Sequence, residues 1–264
     1  MRVETTHSLN RLECEVNADA DAVTDVTDNP FPAYRHTMAE QYPELQMTVC
    51  LSRKQRQYMK VKRGVDLLVS MLGLVLLAAP LGAIALIQKI LSPREPVFFR
   101  QERVGQNGKI FRIIKFRTMR SDAPKEIATS QFENPDAYIT PFGNFLRRFS
   151  IDELPQLVNV LTGEMAIIGP RPLIPSEQPV QTLRERCGVY SVRPGITGLA
   201  QINGRDRLDD YAKVWFDRKY VQELSCKQDL QIFIRSFSYI LRQRDIGKVD
   251  HEKLLQESNE SQRG

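Results

Sequence analysis

At 264 residues, with 42% hydrophobic and 26% charged residues, the chain is long enough for one sizeable folded domain plus extensions. Its net charge of +5 is unevenly placed, and a basic cluster beside an apolar stretch favours an anionic membrane surface over nucleic acid. Cys14, Cys50, Cys187 and Cys226 lack metal-ligand or redox spacing, so reduced thiols in a cytosolic setting are expected, and the first residues lack the pattern of a cleaved signal peptide.

Residues 1–55 are acidic and polar, with a proline-rich patch at Asn29-Pro30-Phe31-Pro32, and read as a disordered leader. Arg53, Lys54, Arg56, Lys60, Lys62 and Arg63 follow as the basic flank of a membrane segment spanning 56–92. Leu67 to Ile87 carries no charge, and an uncharged run of about 20 residues can cross a bilayer as a helix. Two features point instead to a re-entrant helix that enters, breaks at Pro80 and returns. Proline deletes a helix hydrogen bond, and the cations Lys89, Arg94, Arg100 and Arg103 on the far flank would stay cytoplasmic with the first cluster. A plain span and a buried core helix are the competing readings. Asp66, at the mouth of the segment, is expected to pair with a nearby lysine or arginine.

A catalytic domain is expected over 93–247, with a polar tail at 248–264. Residues 97–104 and 109–117 are β-prone and flank Gly105-Gln106-Asn107-Gly108, a hairpin signal. Walker spacing is absent there, which rejects an NTPase phosphate loop. Alternation places Lys115 and Arg117 on one face of the second arm, as an anion site would need. Around Asp152-Glu153, Leu154, Leu157, Val158 and Leu161 recur at helical spacing. Ser150 with Glu153 has the form of a capping box, whereas a start at Asp152 leaves Pro155 in the first turn, where its missing N–H costs little; the later start is favoured. Either start puts both carboxylates at a helix N-terminus. Near Ile232 to Leu241 an apolar face fits a core-packed surface helix and an interfacial membrane helix equally well.

Taken alone, the Asp152-Glu153 segment is explained by helix capping. Its neighbours add chemistry. Arg147 and Arg148 precede it, Gly169-Pro170-Arg171-Pro172 follows, and Arg193-Pro194-Gly195 through Asn203-Gly204-Arg205 comes later. Rigid Pro/Gly turns that carry arginine suit bidentate phosphate binding. Together with adjacent carboxylates they point to a diphosphate site with Mg2+.

These segments, in order with Lys62-Arg63…Asp66, Pro96-Val97-Phe98-Phe99-Arg100-Gln101-Glu102-Arg103-Val104-Gly105, Lys115-Phe116-Arg117-Thr118-Met119 and Asp152-Glu153-Leu154-Pro155-Gln156, resemble the bacterial sugar transferase family. These are monotopic phosphoglycosyl transferases that begin the assembly of exopolysaccharide, capsule, O-antigen or glycoprotein glycans. Members often have Ser-Pro where this chain has Ala79-Pro80. The resemblance implies an α+β fold with a re-entrant membrane helix, a β-hairpin and a small helical catalytic domain with interfacial amphipathic helices. It also implies transfer of a sugar 1-phosphate from a UDP-sugar to undecaprenyl phosphate with release of UMP, on the cytoplasmic face of the inner membrane. Asp152 would be the nucleophile of a covalent phosphosugar intermediate, and Glu153, with Asp152, would hold Mg2+. Lys115, Arg147 and Arg171 would contact phosphate and Arg193 with Arg205 the nucleotide end, while Arg117 and Asp217, the latter matching a family acidic position, would be further substrate-binding residues. Membrane lipids, other glycan-assembly enzymes and a second copy of the chain are the further partners this reading allows. A non-catalytic membrane adaptor and a glycosyltransferase releasing UDP are the rivals, and the nucleotide released separates them.

Overall fold

A computed structural model describes residues 23–25, 45, 47–123, 135–204 and 208–242. Among these, helices combine with three two-stranded sheets, an α+β arrangement as expected. Strands β1 (Val23–Asp25) and β2 (Met47–Val49) pair antiparallel ahead of the long helix α1 (Arg53–Leu91). The hairpin β3 (Phe98–Val104) and β4 (Ile110–Phe116) follows, then α2 (Pro141–Arg148) and α3 (Leu157–Thr162). Strand β5 (Ala166–Ile168), α4 (Gln178–Arg186), β6 (Gly195–Thr197), α5 (Leu199–Ile202), α6 (Asp210–Gln222) and α7 (Cys226–Arg242) complete the chain.

The hairpin forms where its turn signal lies. Its register runs from Phe98 opposite Phe116 to Val104 opposite Ile110. Asn107 (φ 57) and Gly108 (φ 70) supply the left-handed backbone that reverses the chain, which asparagine and glycine tolerate best. Phe111 and Ile113 of β4 enter a core with Val160 and Met165, so the hairpin packs against α3 and its exit. Strands β5 and β6 pair parallel, Ala166 opposite Gly195 and Ile168 opposite Thr197. This pairing presses main chain on main chain: a Cβ on Gly169, Gly195 or Gly198 would collide with backbone of the facing segment.

The disordered-leader expectation extends too far. Leu45 and Val49 are core residues, the Thr48 hydroxyl donates to Arg186 O at 2.6 Å, and Val49 N donates to Cys187 O at 3.2 Å. Strands of three residues are too short for alternation to reveal, and their burial comes from distant partners. The rest of the leader, and the tail at 248–264, lie outside the described residues. Cys50 is disulfide-bonded, while Cys187 and Cys226 are free. The reduced-thiol expectation therefore fails at Cys50, because sequence spacing carries no information on which distant thiols meet in space.

Helix α1 opens on a capping box: Gln55 N donates to Ser52 Oγ at 3.3 Å, and Ser52 N to Gln55 Oε1 at 2.9 Å. Its 39 residues give a length of roughly 58 Å at about 1.5 Å per residue. Pro80 lies inside α1, which continues through it as one helical segment. A proline removes one main-chain hydrogen bond, and the remaining bonds carry the helix on. Asp66 and Ser70 are buried, whereas Leu68, Leu72, Val75, Leu76 and Leu86 are exposed. The helix is long and apolar enough to cross a membrane.

Both ends of α1, and its middle, touch the same folded body. Gln55 donates to Val221 O (3.1 Å) and Gln222 O (2.9 Å), Gly73 faces the Leu157 side chain, and Gln88 donates to Arg117 O at 2.6 Å. Within the basic flank, Lys62 and Arg63 turn inward. Lys62 bridges Asp229 (2.8 Å) and Asp66 (3.8 Å), the pairing expected of Asp66. Arg63 donates to Val160 O and Leu161 O at the end of α3.

Candidate active site

Asp152 and Glu153 lie in a 3-10 turn, Ile151–Gln156, that leads directly into α3. Neither capping scheme drawn from the sequence forms. Ser150 adopts a left-handed conformation (φ 55) without a side-chain cap bond, and Glu153 N donates to Ser150 O at 3.3 Å. Pro155 accounts for the tighter turn: it has no N–H to give, and a short 3-10 stretch tolerates that loss before α3 begins at Leu157. Both carboxylates are buried, at 8% and 7% exposure, and a buried charge needs partners.

The partners are cations from three segments. Lys115, near the end of β4, donates to Glu153 Oε1 at 2.7 Å. Arg171, in the turn after β5, approaches the same oxygen at 3.6 Å. Arg103, on β3, stands close enough to both Arg171 and Glu153 to feel their charges. Burial pushes the Lys115 amine down; Glu153 and Asp152 counter that, while Arg171 and Arg103 add to it. Burial and then Arg171 push Arg103 down to about 10. Lys115 and Arg171 thus converge on Glu153, and Arg103 stands between Glu177 and Glu153, a gathering of cationic side chains that suits an incoming polyanion.

Arg103 is the site residue that the sequence reading missed. Along β3, Phe99, Gln101 and Arg103 alternate inward while Phe98, Arg100 and Glu102 are exposed. A charged residue at an inward strand position was the available signal.

A family profile described as bacterial sugar transferase matches residues 57–243. The chain belongs to the bacterial sugar transferase family. It is 44% identical over 179 residues to the UDP-glucose:undecaprenyl-phosphate glucose-1-phosphate transferase of Escherichia coli (strain K12), covering 65% of this chain and 38% of that relative. It is 39% identical over 204 residues to the undecaprenyl-phosphate glucose phosphotransferase of Komagataeibacter xylinus, covering 73% and 38% respectively. With the exopolysaccharide production protein ExoY of Rhizobium meliloti (strain 1021) it shares 35% identity over 199 residues, covering 69% of this chain and 86% of that one. The first two relatives are therefore much longer than the stretch this transferase matches.

The transferase does not bring every expected site residue together. Arg147 donates to Thr118 Oγ1 at 2.9 Å, beside the β4 exit that carries Lys115. Arg117 turns elsewhere: its Nε donates to Pro96 O at 3.0 Å, and its guanidinium lies over the Phe99 ring at 5.8 Å. Arg193 sits at the opposite end of α3 from the carboxylates, donating to Gly163 O at 2.9 Å. By helical rise that end is roughly 15 Å from Glu153. Asp217 is fully buried against Arg184, away from any direct contact with the carboxylate pair. Arg205 lies outside the described residues.

Among the described residues no group of three or more His, Cys, Asp and Glu side chains is placed to hold a metal ion. Asp152 and Glu153 still fit Mg2+ as a partial shell, because that ion takes one or two carboxylates and fills its remaining positions with phosphate oxygens and water.

Proposed function

We propose that this transferase moves a sugar 1-phosphate from a UDP-sugar to undecaprenyl phosphate and releases UMP, as an early step of exopolysaccharide or related surface-glycan assembly. The observation that carries this reading is the buried Asp152-Glu153 pair beneath the Lys115, Arg171 and Arg103 cluster. The names of the relatives, two of them undecaprenyl-phosphate sugar phosphotransferases, support the substrate class.

In the first step an Asp152 carboxylate oxygen attacks the phosphorus that bears the sugar. The bond from that phosphorus to the bridging oxygen breaks, and the electron pair leaves with UMP. In the second step an oxygen of the lipid phosphate attacks the same phosphorus and Asp152 departs as carboxylate. Covalent catalysis divides one difficult exchange between anions into two easier ones. Lys115 and Arg171 neutralise charge on the transferring group, and their fixed positions make that stabilisation available without reorganisation. Magnesium, held by Glu153 and Asp152 together with substrate oxygens, would supply further charge neutralisation when bound.

Membrane association places the lipid within reach. Both ends of α1 dock on the catalytic body, which supports insertion from one face of the bilayer over a crossing that would carry one end away. The exposed Leu230, Phe233, Ile234 and Phe237 of α7 and Phe145 of α2 are candidates for interfacial contact. Cysteine labelling at 45–60 and 100–110 in intact cells should report one side for both stretches, and opposite sides would refute single-face insertion.

The decisive experiment incubates purified protein with undecaprenyl phosphate and a panel of UDP-sugars and identifies the nucleotide released. UMP together with a lipid diphosphate-sugar supports the proposal. UDP would make the chain a glycosyltransferase that moves sugar without phosphate, and no nucleotide from any donor would leave an adaptor.

A further inference from the structure

The turn that carries Arg171 is held by its carbonyl groups. Gly195 N donates to Pro170 O at 2.9 Å, and Val104 N to Leu173 O at 2.9 Å. Arg103 Nη1 donates to Pro172 O at 3.0 Å. The remaining carbonyl, of Arg171 itself, accepts from Arg184 Nη1 at 2.6 Å. Four consecutive carbonyls are thus gripped from β6, α4 and β3, and the Arg171 side chain leaves this fixed frame toward Glu153.

Arg184 is itself set by one carboxylate. Its Nη2 donates to Asp217 Oδ2, so a single guanidinium spans from α6 to the Arg171 main chain. We propose that the buried Arg184–Asp217 pair is a positioning device for phosphoryl transfer, fixing the Arg171 main chain so that its side chain meets the diphosphate above Glu153. This rests on the functional reading above and assigns Asp217 a role through Arg171 rather than through substrate.

The pair is poorly arranged for stability alone. Arg184 Nε and Asp217 Oδ1 are buried without a hydrogen-bond partner, and such atoms cost folding free energy. Burial, only partly offset by Arg184 and Lys213, pushes the Asp217 carboxyl up to about 6. Apolar replacement of a buried ion pair is commonly neutral or stabilising, so the presence of this one is better explained by the geometry it imposes.

The test is a cycle of kcat/KM for the full chain. Replacing both partners (Arg184→Met with Asp217→Leu) removes the charges together and leaves neither stranded. Acting through Arg171, this double change lowers kcat/KM by about 100-fold in the otherwise unchanged protein, the order expected from a misplacement of about 1 Å. In an Arg171→Ala background the same change costs under about 3-fold, because the group it positions is gone. An equal loss in both backgrounds overturns the proposal. If the double replacement does not fold, Arg184→Lys takes its place in the cycle, since one ammonium cannot reproduce the fork to both acceptors. If neither variant folds, the pair is structural and the proposal falls. An unmodified chain that releases no UMP sinks the functional reading instead. Amide exchange at Gly195 and Val104, the donors to Pro170 O and Leu173 O, then decides the positioning claim: faster exchange in the double replacement upholds it, and unchanged exchange ends it.

Discussion

Two buried carboxylates of this transferase meet arginine or lysine in opposite ways. Asp217 has one dominant cation, Arg184, and the pair is closed off in the interior at 0% and 2% exposure. Glu153 has Lys115 and Arg171 on a single oxygen with Arg103 behind them, in a site that remains partly open through Arg171. The first cluster is balanced charge for charge and serves shape. The second gathers cations from β3, β4 and the turn after β5, and under the proposed function an anion from outside joins them. Burial of a charged residue therefore does not by itself mark a catalytic centre; the convergence of several cations on one partly open carboxylate is what sets Glu153 apart from Asp217.

The largest expected effect isolates Asp152. Asp152→Asn should lower turnover by about 10³-fold or more and eliminate the trapped sugar-phosphate adduct, while melting temperature stays close to that of the unmodified protein. An adduct of undiminished yield in that variant would move the nucleophile elsewhere.

Next comes the carboxylate on which the cations converge. Glu153→Gln is expected to cost about 10- to 100-fold and to raise the magnesium concentration needed for half-maximal rate. A magnesium requirement identical to the unmodified protein would reassign the ligand.

The pH profile sharpens the contrast further. Burial holds the Lys115 amine below its usual value, so it loses its proton, and the site loses a cation, at lower pH than an ordinary lysine would. Because the folded-state value is depressed, this group favours folding increasingly as pH rises toward the ordinary lysine range. Activity should nonetheless fall on the alkaline side, and Lys115→Arg should shift that limb to higher pH. A limb that does not move in Lys115→Arg belongs to another group.

The smallest effect concerns Arg193. Because it closes the far end of α3, Arg193→Ala should cost about 1 kcal/mol of stability, as loss of a hydrogen bond to a helix-end carbonyl does, and change KM for the nucleotide sugar by under about 3-fold. A KM rise of about 10-fold or more would return Arg193 to the nucleotide.

What the sequence made legible was local. Asn107-Gly108 announced the hairpin because left-handed backbone is confined to few residue types, and the ordered arginine turns announced the family. What was not legible shares one cause. Asp217 and Arg193 were recognisable as charges, but their partners are set by tertiary contact: Arg184 lies in a different helix, and Gly163 O becomes available only once α3 ends. Pro155 was expected to tune where an α-helix starts; it instead keeps the turn in 3-10 form, because a missing donor can be met by tightening the coil as well as by moving its origin. Pro80 announced a bend rather than an end, and the helix continues through it over 39 residues because one lost hydrogen bond need not terminate it.

The packed glycines beside β5 and β6 bear on how such a protein could diversify. Gly169, Gly195 and Gly198 leave no room for a methyl group against the opposing backbone, and the Arg171 turn grows directly out of Gly169. That stretch is closed to gradual change: any replacement there shifts the frame rather than adjusting it. Under the proposed function, a different donor sugar has to be accommodated by residues outside this stretch, because the frame that carries Arg171 does not yield.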